Sequence, residues 1–269
     1  MHTAAYADGY DQGFRLSRYQ MADVRSSVVS SRDRATAMAA VAVACVATAA
    51  IVGGALGQHS QPAWLWLHWV AKPLATVLIL GVALLAGQPV SRRYRRWIVA
   101  GMVFSLIGDV MLMLPANLFV AGLVAFLCGH VCFISAFLGD SRLAVRPLAW
   151  LVCLLVGGVN LWLLWPSIPA ALHPAVALYG TVLSVMGGQA IGRAWFHGAA
   201  ADALALPARR AALGAAFFLL SDSLLAWNRF HAALPWSTLW VLGSYYAALW
   251  FIARSVARNE TSLAAGALT

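Results

Sequence analysis

The sequence predicts an all-α fold, a polytopic membrane helix bundle of about eight transmembrane helices, and three observations carry that expectation. Of the 269 residues, 62% are hydrophobic and only 10% are charged, whereas soluble domains carry about one-quarter charged residues. Apolar runs near the roughly 20 residues needed to cross a bilayer recur along nearly the whole chain. The runs show no period-2 alternation, so helices rather than a closed barrel are expected to satisfy the backbone in lipid.

The elements follow in chain order. Residues 1–34 are polar, lack the layout of a secretory signal, and read as a disordered cytoplasmic tail. The first span covers 35–57. The second, 66–87, holds Lys72, the only lysine, directly before Pro73, whose ring and missing N–H loosen the helix there. The third, 96–114, follows a basic run and holds Asp109. The fourth, 117–138, carries His130 between Cys128 and Cys132, the fifth, 147–165, carries Asn160, and the sixth, 170–192, carries Tyr179. The seventh, 209–227, holds Asp222, and the eighth, 236–254, holds Tyr245 and Tyr246. The connections are short, so residues 35–256 form one transmembrane domain, and 257–269 read as a second disordered tail.

The formal net charge is +9, but the basic residues are placed as topology signals rather than as a nucleic-acid surface. Five Arg precede span 1, and Arg92, Arg93, Arg95 and Arg96 lie between spans 2 and 3. Arg142 and Arg146 lie between spans 4 and 5, Arg193, Arg209 and Arg210 between 6 and 7, and Arg254 and Arg258 after 8. The alternate connections carry only Arg229. By the positive-inside rule both termini are cytoplasmic. The expected setting is a bacterial plasma membrane, with membrane lipids as neighbours and no nucleic-acid partner; the oligomeric state is not encoded legibly.

Only two carboxylates lie inside the spans, and they occupy matching places in two similar segments. These are Gly101-Met-Val-Phe-Ser-Leu-Ile-Gly-Asp109-Val-Met-Leu and Gly214-Ala-Ala-Phe-Phe-Leu-Leu-Ser-Asp222-Ser-Leu-Leu. An ionisable group at membrane depth marks a functional site facing the interior. Counting from the basic ends at 1.5 Å per residue puts Asp109, Asp222, Lys72, Tyr179 and Asn160 all about 20 Å deep, with His130 and Tyr245 slightly shallower at about 15 Å. Lys72 can pair with one carboxylate; the other, in a dry pocket, is expected to keep a proton for donation. The blander alternatives stay open. The Lys–Asp pair can be a structural bridge, Tyr179 and Tyr245 packing aromatics, His130 a core histidine, Asn160 interhelical glue, and Ser105 bonded to its own helix. His68, His173, His231 and Arg229 lie near the outer surface, where a lipid phosphate or water can meet them. The four Cys all fall within spans, and His130 points away from its cysteine neighbours, so no disulfide, metal or other cofactor is expected.

Several motifs in register sharpen this picture: Lys72-Pro73-Leu74, Ser105-Leu-Ile-Gly-Asp109-Val-Met-Leu-Met-Leu-Pro115, Phe119 with Gly122 and Phe126, Gly129-His130, and Ser221-Asp222-Ser-Leu-Leu-Ala-Trp-Asn228-Arg-Phe230. Together they resemble the YhhN family of multi-pass proteins, which includes the lysoplasmalogenases, over roughly residues 65–255. The departures are the tail, the additional first span, and Phe133 where a Tyr is expected. The resemblance implies an intramembrane hydrolase that cleaves the vinyl ether bond of a lysoplasmalogen, a lysophospholipid, to a fatty aldehyde and a glycerophospho-alcohol. The residues suit that chemistry: Asp109 and Asp222 as acid and carboxylate, in either order, and Lys72 keeping one of them ionised. Tyr179, His130, Asn160, Ser105, Tyr245 and Asn228 are the candidate substrate-binding residues. The rival reading is a proton-coupled small-molecule or lipid transporter using the same Asp and Lys belt, which would depend on a pH gradient.

Overall fold

The computed structural model describes residues 34–57, 62–114 and 118–258. The expected tails lie outside the described residues, apart from Arg34, Ala257 and Arg258. The chain divides into two units, 1–42 and 43–269. Helix α1 (Arg34–Gly57) begins in the first. The second continues with α2 (Leu65–Leu84), α3 (Arg92–Met113), α4 (Phe119–Phe137), α5 (Pro147–Leu164), α6 (His173–Ala200), α7 (Ala205–Phe230) and α8 (Ser237–Arg254).

All eight expected helices are present, and the ends differ for a physical reason. Helix α6 was expected to stop at residue 192 but runs to Ala200, and α3 and α7 begin four residues earlier than expected. Apolarity reports membrane depth, while the helix persists into the polar zone wherever the backbone finds caps. At Ser91, for example, the side chain accepts a hydrogen bond from the Tyr94 N–H at 2.9 Å and starts α3 ahead of its apolar run. Helices α1 to α7 are long and apolar enough to cross a membrane by length and composition. Helix α8 is not among them: it has 18 residues, and its polar Ser244, Tyr245 and Tyr246, all buried, lower its apolarity.

The outside of the bundle is apolar. Helix α5 turns Leu151, Leu155, Val156 and Trp162 outward at 61–72% exposure, a face that suits acyl chains rather than water. Inside, neighbour relations close a ring in the order α2, α3, α4, α6, α7, α8 and back to α2, with α5 outside against α6. Exchanging α2–α3–α4 for α6–α7–α8 leaves that neighbour pattern unchanged. The two repeat helices, α3 and α7, thus stand at opposite places in the ring. Their glycines allow close approach: a Cβ on Gly214 would lie 2.7 Å from the Ala248 carbonyl oxygen of α8, and one on Gly101 would strike the Phe133 ring of α4.

One end of the bundle gathers the basic connections. The fully buried Arg193 holds Asp140 through two hydrogen bonds of 2.6 Å and sits over the Tyr94 ring, whose hydroxyl meets Ser255 at 2.8 Å. Pro89 and Ala257 form an antiparallel bridge there, and Val90 N–H donates to the Val256 carbonyl. Asp202 accepts from the His197 ring at 2.7 Å and from the Leu204 N–H at 2.8 Å. Burial opposes ionisation of Asp202, but these bonds outweigh it and hold the carboxyl below its ordinary value. The starts of α3 and α7 and the ends of α6 and α8 therefore share one end, and the two Asp-bearing helices run the same way.

Candidate functional site

The two repeat aspartates are each met by neighbours from both halves of the ring. Asp109 on α3 has Oδ1 3.3 Å from Lys72 Nζ, and its Oδ2 accepts from Thr76 Oγ1 at 2.8 Å and from the Tyr245 hydroxyl at 2.6 Å. Lys72 and Thr76 stand four residues apart on α2, one turn on the same face. The carboxylate is 1% exposed, and pairing plus neutral donors is what makes a charge tolerable at that depth.

Asp222 on α7 occupies the matching place with different partners. Its Oδ2 accepts from the Tyr179 hydroxyl of α6 at 2.5 Å. His130 Nε2 of α4 lies 3.0 Å from that hydroxyl and 3.6 Å from Oδ2. Since the tyrosine hydrogen goes to the carboxyl, Nε2 supplies the N–H to the tyrosine oxygen. The other ring nitrogen, Nδ1, is buried and has no hydrogen-bond partner among the described residues. No Lys or Arg approaches Asp222 within salt-bridge distance among the described residues, and its Oδ1 accepts no hydrogen bond among them. Phe218 stands edge-on to both sets, with its ring centre 4.8 Å from His130 and 5.6 Å from Tyr245.

Both carboxyl groups line one cavity of about 150 Å³. Lys72, Tyr179, Tyr245 and Asn160 border it too, and most of the remaining wall is apolar, with Leu112, Leu123, Leu161 and Leu183 among it. The arrangement offers a Lys-paired carboxylate and, among the described residues, a carboxyl with no Lys or Arg partner to one apolar space.

A family model described as the YhhN family matches residues 67–256. The chain belongs to the YhhN family. It is 30% identical to human lysoplasmalogenase TMEM86A over 206 residues, covering 75% of this chain and 82% of that one. It is 33% identical to human lysoplasmalogenase TMEM86B over 197 residues, covering 72% and 78%. A lysoplasmalogenase of Mycobacterium bovis is 33% identical over 173 residues, covering 61% of each chain. No solved structure matches. The family match begins at residue 67, so α1, the additional span, lies outside it.

The other expected residues of this YhhN-family protein are distributed unevenly. Asn160 borders the cavity while tying α5 to α7: its Nδ2 donates to Ser223 Oγ at 2.7 Å and its Oδ1 accepts from Trp227 Nε1 at 2.9 Å. His130 stands behind Tyr179 and does not line the cavity. Ser105 donates to the Gly101 carbonyl at 3.0 Å, and Asn228 accepts from the Leu234 N–H at 2.9 Å in the connection to α8; neither lines the cavity. His68 is held by the Ala50 carbonyl of α1 at 2.8 Å, His173 by the Ile168 carbonyl at 3.0 Å, and His231 by Ser167 at 3.1 Å. Thr76 is the partner that sequence reasoning missed. Its signal was present, a hydroxyl one turn beyond Lys72 on the same face.

Proposed function

We propose that this protein is a lysoplasmalogenase in which Asp222 is the proton donor and the Lys72–Asp109 pair is a fixed negative wall facing the cation. The observation that carries the reading is the asymmetry of two matching aspartates on one cavity, one neutralising a lysine and the other without a Lys or Arg partner. The names of the relatives supply the substrate class.

The reaction needs an acid that can lose and regain a proton without stranding a buried charge. Protonating Asp109 would leave Lys72 as an unpaired cation in an apolar interior, so that role falls to Asp222. Its proton goes to the β-carbon of the vinyl ether, and the double-bond electrons form the new C–H bond. The adjacent carbon becomes an oxocarbenium ion, which the Asp109 carboxylate stabilises across a water-poor space. Water adds to that carbon and passes a proton to the Asp222 carboxylate, restoring the acid. The hemiacetal then breaks its bond to the glycerol oxygen, moving its hydroxyl proton to that oxygen, and leaves aldehyde and alcohol. Tyr179, backed by His130, donates to Asp222 throughout and fixes which oxygen faces the cavity. Tyr245 and Thr76 do the same for Asp109.

The positive-inside pattern supports cytoplasmic termini and a cavity in the outer half of the membrane, open to a single-chain lipid arriving from the bilayer. A bacterial plasma membrane is the setting proposed with it. The decisive experiment incubates purified protein with a lysoplasmalogen and with its saturated alkyl-ether analogue. Aldehyde is expected from the first alone, because only a vinyl carbon can accept the proton. Absence of aldehyde from both would end the hydrolase reading.

A further inference from the structure

Arg229 is the one Arg among the described residues of the cavity wall, and no described carboxylate claims it. The four described aspartates are engaged elsewhere: Asp109 with Lys72, Asp140 with Arg193, Asp202 with His197, and Asp222 with Tyr179 and His130. The guanidinium carbon lies 4.2 Å from the centre of the Phe119 ring, and that ring meets Phe230 edge-on at 5.8 Å. Both rings also line the cavity. Stacking on an aromatic face orients a guanidinium while leaving its in-plane N–H donors for an anion. A cation in the last turn of a helix also complements the helix dipole, but that role would not require a place on the cavity wall.

The spacing fits the proposed substrate. Arg229 follows Asp222 by seven residues on one helix, which separates their Cα atoms by about 10 Å along the axis. In a lysoplasmalogen, seven bonds join the carbon that takes the proton to the phosphorus, about 8–9 Å when extended at ordinary bond lengths. We infer that Arg229 is the phosphate subsite of this cavity and, with Asp222, gauges the distance from vinyl carbon to phosphate. The inference rests on the lysoplasmalogenase reading. It assigns the grip on the substrate's phosphodiester to charge-assisted hydrogen bonds from Arg229, whatever the alcohol beyond it.

The test compares kcat/KM for a lysoplasmalogen and for the phosphate-free 1-alkenylglycerol of the same chain length. The wild-type protein is expected to favour the phosphate-bearing substrate by about 10- to 100-fold, the weight of charge-assisted bonding. In Arg229→Gln that ratio is expected to collapse toward one through a rise in KM for the lysoplasmalogen, and Arg229→Lys should keep part of it. A variant that retains the wild-type ratio overturns the inference, whether both substrates weaken together or neither does. Direct binding, by calorimetry on detergent-solubilised wild-type protein, gives a second measurement independent of turnover and of any variant's folding. The saturated alkyl-ether lysophospholipid should bind at least 10-fold more tightly than the matching alkylglycerol; equal affinity overturns the subsite. Failure to release aldehyde from either vinyl ether, with that binding difference intact, would instead count against the hydrolase reading alone.

Discussion

Asp109 and Asp222 share a motif but not an electrostatic situation, and substitutions should separate them. Asp222→Asn keeps an acceptor for Tyr179 yet has no proton to give, so turnover should drop by about 10²- to 10⁴-fold, the usual worth of a positioned acid, with the thermal midpoint nearly unchanged. Asp109→Asn should lose activity and also stability, because it leaves the Lys72 ammonium buried and unpaired, a penalty of about 3–5 kcal/mol. Adding Lys72→Met to Asp109→Asn should recover the melting temperature without recovering aldehyde release. Thermal unfolding and turnover on the four proteins check this, and a single Asp109→Asn variant as stable as wild type would refute the ion-pair account. Sequence reading reached both aspartates and the lysine. It could not tell acid from carboxylate, since the distinction lies in whether α2 or α6 stands beside each one.

At the scale of elements, each repeat helix packs closely on the helix that follows it. Helices α7 and α8 touch where Gly214 meets the α8 backbone, with the Ile252 N–H 3.0 Å and the Ala248 oxygen 2.7 Å from a would-be Cβ. Backbone cannot swing aside as a side chain can, so Gly214→Ala is expected to cost about 1–3 kcal/mol, as overpacking does. Gly243, on α8 itself, has nothing within 4 Å of its would-be Cβ. Gly243→Ala should be neutral or slightly stabilising, since alanine suits a helix better. Melting temperatures in one detergent test the pair, and equal shifts would show that the α7–α8 contact is looser than described. Gly214 and Gly243 are both helical glycines in the sequence, and their different tolerance is legible only once the neighbour across each is known.

For the whole molecule, the ring of six helices places the Arg-rich connections at one end and Arg229 at the other. Exposed positions probe which end faces out: Ala233→Cys, near Arg229, should react with a membrane-impermeant maleimide on intact cells. Ala203→Cys, beside Asp202, should react only after permeabilisation; the reverse pattern would overturn the orientation. The amino-acid sequence by itself determined the class of fold, the number and order of helices, the asymmetry of basic charge and the residues able to do acid chemistry. Those follow from composition and local period, because lipid forces every backbone group into a helix and charges a penalty for each polar side chain it admits. Tertiary structure alone decided that Lys72 and Thr76 serve Asp109, that Tyr179 and His130 serve Asp222, and that Ser105 and Asn228 turn elsewhere. Partners on different helices are chosen by packing at ångström scale, and counting residues along one chain measures depth but not which face of a helix meets which neighbour.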